Sequence, residues 1–69
     1  MRDMTVTFSV VVTKSAVTAV PDDSTGAQRL AAAHEFAGRM AAAMKGGAKV
    51  IQGTVRWEAS DGTFGGSLA

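Results

Sequence analysis

The sequence predicts a small α+β fold: a β-α-β layer, with or without a short strand at its end, in which one helix lies on a narrow sheet completed by oligomerisation. Three observations predict it. Residues 25–45 are rich in helix formers and have a marked start and end. Residues 4–14 alternate apolar and polar with period two, and residues 48–59 do so again after the helix. A helix of about 20 residues runs roughly 30 Å. A strand of about 10 residues runs roughly 33 Å, so one helix can cover one face of such a sheet.

The first strand is expected over Met4–Lys14, with Val6, Phe8, Val10 and Val12 on one side and mostly Thr and Ser on the other. Residues 15–20, SAVTAV, are strand-like but out of phase, because Val17 breaks the parity of Val12. The junction lacks Gly or Asn, the usual signal of a tight hairpin. One long strand bent near Thr13–Ser15 is therefore the preferred reading. Separation of residues 15–20 into a second strand stays open. Pro21 ends the strand, and residues 22–24 form a turn.

The helix follows. Thr25 and Gln28 have capping-box spacing, and Gly46-Gly47 closes the other end behind Lys45. At about 100° per residue, Leu30, Ala33, Phe36, Ala37, Met40 and Met44 form the expected core stripe. Gln28, Glu35 and Arg39 lie opposite. Between them runs a strip of small residues, Ala27, Ala31, Gly38 and Ala42, which would admit a second helix backbone. A glycine in mid-helix costs roughly 0.5–1 kcal/mol relative to Ala, so Gly38 is its marked member.

The second strand is expected over residues 48–59, with Ile51, Val55, Trp57 and Ala59 on the apolar side. Residues 60–63, SDGT, signal a turn. Thr63-Phe64 begins a short return, and the glycines from about residue 65 predict a loose tail.

Composition bounds what this one domain can do. A domain of this size buries only about 60% of its unfolded surface. The bulky apolar set is thin, with three Phe, one Trp and four Met. Cysteine is absent, which removes disulfides and thiolate chemistry. Self-association is the remaining aid to stability, and the unpaired edge of the Val-rich first strand is the expected contact. Net charge is +1, no electrostatic match for nucleic acid or an anionic membrane. No apolar run reaches the roughly 20 residues of a membrane span. Arg2 and the small residues 16–19 resemble parts of a secretory signal. Asp3, Lys14 and the alternating Thr and Ser suit a strand better, so a cytoplasmic protein is expected.

Candidate chemistry is sparse. His34 is the only histidine, and on a helix it points away from Glu35, so the two form no dyad. It joins Ala27, Ala31, Gly38 and Ala42 as an interface candidate. Asp22, Asp23 and Asp61 are explained by caps and turns. Residues 45–49, KGGAK, lack the Gly-Lys-Ser/Thr ending of a phosphate loop and follow a helix where that loop precedes one. Trp57 is expected in the core, with stacking on a planar ligand at a subunit interface as the other reading, assisted by Arg56. No catalytic residue, metal ligand or cofactor is expected.

In size, β-α-β order and the lone Trp57 before the Asp61-Gly62 turn, the layout resembles the dodecins, small flavin-binding oligomers. The resemblance would imply a flavin, but a dodecin has a long third strand after that turn, and only residues 63–69 follow here. The function expected from the residues is a non-enzymatic homo-oligomeric module that binds another protein. The alternative is a binder of a planar cofactor or nucleotide at a subunit interface.

Overall fold

A computed structural model describes residues 1–66. One helix packs against a four-stranded antiparallel sheet, a small α+β fold. The strands are β1 (Arg2–Ser9), β2 (Thr13–Val20), β3 (Arg56–Ala59) and β4 (Phe64–Gly66), and the helix is α1 (Gly26–Ala42). The sheet order is β2-β1-β3-β4, and each neighbouring pair is antiparallel. The loose tail expected from residue 65 falls in part on β4 and otherwise on residues 67–69, which lie outside the described residues.

The single bent strand expected at the N-terminus is instead a hairpin. Ser9 pairs with Thr13, and residues 10–12 make the turn, with Val10 N–H donating to Val12 O at 3.1 Å. Hydroxyls line its outer face: Thr7 and Ser15 lie 3.1 Å apart, Ser9 and Thr13 3.4 Å. The reversal explains the phase break. Met4, Val6 and Phe8 face the helix, and so do their partners Thr18, Ala16 and Lys14, which sends Val17 outward. Val12 falls in the turn and is exposed. β1 is consequently internal, paired on both sides, and the free edge belongs to β2 rather than to the first strand.

The strand expected over residues 48–59 is reduced to β3. Gly53 has φ +81°, a left-handed conformation that extended chain cannot hold, and Thr54 N–H closes a turn onto Ile51 O at 3.2 Å. Ile51 N–H still bonds Ser9 O at 2.8 Å, so the segment lies at the end of β1 without forming a strand. Ile51 is half exposed, whereas Val55, Trp57 and Ala59 are buried on the helix side as expected.

α1 begins as predicted. Thr25 caps it, Gln28 N–H donates to Thr25 Oγ1 at 3.1 Å, and Gln28 Oε1 accepts from Thr25 N–H at 2.8 Å. It ends at Ala42, three residues early, with Ala43 as cap and left-handed Gly46 and Gly47 beyond. Its buried line is Arg29, Ala33, Ala37 and Ala41. Leu30, Phe36 and Met44 are only partly buried, and Met40 is exposed, so the helix is rotated from the expected stripe. Small helix residues let its backbone approach the sheet, while Met4, Val6, Phe8 and Val55 fill the layer between.

Candidate functional site

The feature the sequence analysis missed is Arg29, only 3% exposed. A buried guanidinium is costly unless its donors are satisfied. Here they are. Nε donates to Ser24 Oγ at 2.8 Å, and Nη2 to Asp22 O at 3.3 Å. Nη1 donates to Thr63 Oγ1 at 2.7 Å and to Asp61 Oδ2 at 3.0 Å. The guanidinium carbon lies 5.9 Å from the centroid of the Trp57 ring, within cation–π range. Arg29 thus joins the first turn of α1, the turn before it, the β3–β4 turn and the indole of β3.

Asp61 is the acidic half of this clamp. Thr63 donates to its Oδ1 through the hydroxyl, at 2.6 Å, and through the backbone N–H, at 3.1 Å. These two bonds, followed by the bond from Arg29, hold the Asp61 carboxyl well below the usual carboxylate range. A carboxylate locked in its ionised form is a poor general base at neutral pH. Arg2 Nε stands 3.5 Å from Asp61 Oδ2, and the terminal amine 3.5 Å from Asp22. The turn role read for Asp61 is real; its bond to the helix was not legible as a pattern. The available signal was Arg29 itself, in line at i, i+4, i+8 with Ala33 and Ala37.

The residues singled out as candidates do not converge. Trp57 is 6% exposed and faces the helix, while its neighbour Arg56 is exposed on the opposite face of the sheet. Gly65 pairs with Trp57, and a β-carbon there would stand 2.8 Å from the indole Nε1, so the ring edge lies directly over the glycine. Ala27, Ala31, Gly38, Ala42 and His34 are all exposed on α1. A β-carbon on Gly38 would meet nothing within 4 Å. Among the described residues, no group of three or more His, Asp or Glu side chains is placed to hold a metal ion. No helix among them is long and apolar enough to cross a membrane.

A second feature of the fold is an open sheet edge. β2 is eight residues long and, among the described residues, bonds β1 on one side only. Its helix-facing side, Lys14, Ala16, Thr18 and Val20, is small or polar apart from Val20, and Ala16 and Thr18 are half-buried. Beside it, Met40 and Met44 of the helix side line an apolar notch with Phe8, Lys14, Ser15 and Ala16. On the outward side Val17 is 60% exposed. The opposite edge, β4, has only three residues, with Phe64 exposed.

Fold and geometry therefore define a small α+β domain with a buried arginine clamp at one end and an open sheet edge along one side. Comparison with protein-family models, with curated proteins and with solved structures gives no match.

Proposed function

We propose that the protein is a non-enzymatic interaction module that acts as a homo-oligomer and presents its assembled surface to another protein. The observation that carries this reading is the unpaired eight-residue edge of β2. A row of free backbone N–H and C=O groups is a template for another strand, and proteins usually blunt or cover it. β2 has one lysine and an exposed valine, and no proline within it. The buried layer is also thin, with alanines supplying three of the four buried helix positions. A cytoplasmic location belongs to the same reading.

Light scattering at micromolar concentration tests the reading. The expected species is a multiple of the 7.0 kDa chain. A folded monomer across that range overturns it. The alternative, a planar-ligand binder using Trp57, has less support, because the indole is enclosed by Arg29, Gly65 and the core. Titration of the single Trp fluorescence with flavins and nucleotides separates the two, since stacking on Trp57 would quench it.

A further inference from the structure

We infer that the occupant of the β2 edge is the β2 edge of a second copy, mated antiparallel about a two-fold axis at Val17. This rests on the homo-oligomer reading above and assigns its interface.

The strand itself favours self-mating. A two-fold axis normal to the sheet sets one residue opposite its own copy and keeps like faces together. Val17 lies near the middle of Thr13–Val20, points outward and is 60% exposed. Placed on the axis it would pack against the partner's Val17, a favourable cross-strand pair. The same register sets Ser15 opposite Ala19 and Ala16 opposite Thr18, small residues that permit close approach on both faces.

Charge supports the antiparallel sense. The one charge within β2 is Lys14, at its start, and Asp22 and Asp23 follow its end. Mating about Val17 sets Lys14 opposite the partner's Val20, next to the partner's acidic turn. The two lysines then stand at opposite ends of the interface. A parallel arrangement would stack Lys14 on Lys14 and close no two-fold.

The helix flank beside β2 fits as well. Met40 and Met44 border the edge at Lys14–Ala16, and Gln28 and Ala32 border it at Val20-Pro21. A second copy seated there would cover Met40, now 40% exposed. The strip containing Gly38 is excluded from this interface. Gly38 is two residues, or about 200° of helix rotation, from Phe36 and from Met40, and so lies on the far flank. Among the described residues, the resulting sheet would have eight strands, with the three-residue β4 edges left free.

The chain has no cysteine, so single cysteines report the register cleanly. Residues opposite each other across an antiparallel pair have Cα atoms about 4.5–5.5 Å apart, within disulfide range. Val17→Cys, Gly38→Cys and Phe64→Cys are each oxidised mildly at a concentration where the wild type is oligomeric by light scattering. The expected result is rapid dimer cross-linking through Val17→Cys alone. In parallel, Lys14→Asp should raise the dissociation constant roughly tenfold or more through repulsion from the partner's Asp22 and Asp23. Adding Asp23→Lys should recover most of that loss. An oligomeric wild type with no Val17→Cys cross-link, or with equal cross-linking at Gly38 or Phe64, overturns the assignment while leaving the homo-oligomer reading intact. A monomeric wild type overturns both.

Discussion

The two ends of this molecule solve the problem of a small core in opposite ways. At the N-terminal end of α1 a single buried arginine ties together four pieces of chain, and its hydrogen-bonding groups find partners within the monomer. Along β2 and the C-terminal half of α1, the contacts are small residues, half-covered methionines and a bare strand edge. The contrast teaches that polar bonding, more than apolar area, orders the first region, while the second is left with surface that another chain can use. A domain of this length has only a few kcal/mol of stability to distribute.

The sharpest way to break the comparison is to remove the clamp. Arg29→Met keeps much of the aliphatic bulk but leaves Asp61 without its buried partner and Trp57 without the guanidinium. The expected loss is about 2–4 kcal/mol, enough to unfold much of the population. Arg39→Met serves as the contrast. Arg39 is exposed and stands 4.0 Å from Glu35 in an i,i+4 pair, so its loss should stay within about 0.5 kcal/mol. Urea denaturation of both variants measures the difference. Equal destabilisation would show that Arg29 is an ordinary surface residue.

A smaller effect should appear with pH. Asp61 binds its proton less readily in the folded chain than in the unfolded one, first because Thr63 donates to it and then because Arg29 does. Its contribution is therefore fully present above the ordinary carboxylate range. It is lost as pH falls below about 4, toward the depressed folded value. Asp61→Asn should be less stable than wild type at pH 7 and should lose less on acidification between about pH 5 and pH 2. Parallel acid-denaturation curves for the two proteins would remove Asp61 as the source.

How much of this was legible in the sequence differs between the same regions. The α+β class, the Thr25–Gln28 cap, the inward faces of β1 and β3 and the placement of Trp57 follow from local patterns. Those patterns depend on residues within one turn or one strand. The hairpin was hidden because its turn, residues 10–12, is all valine and carries none of the Gly or Asn that usually mark reversal. The short β3 was hidden because residues 48–52 keep strand-like alternation up to a left-handed Gly53. The clamp was hidden for a different reason. Asp61 and Thr63 are 32 and 34 residues from Arg29, and no periodicity encodes a partner across the fold. Arg29 shares its buried line on the helix with Ala33, Ala37 and Ala41.

A further small effect discriminates between the flanks of α1. Gly38 was the marked member of a strip suited to helix contact, and the monomer leaves the strip open, with nothing within 4 Å of a β-carbon at Gly38. If self-association uses the β2 edge, Gly38→Leu touches only water. Replacing a mid-helix glycine by a good helix former should then stabilise the chain by about 0.5–1 kcal/mol, with the oligomeric state unchanged. If the helices instead meet through the small-residue strip, the leucine would hold the two backbones apart, and assembly would weaken while the isolated helix became stronger. Thermal denaturation gives the first quantity and light scattering the second. A raised melting temperature with an intact assembly places the interface on the side of Met40 and Val17. A raised melting temperature with dissociation returns it to the strip.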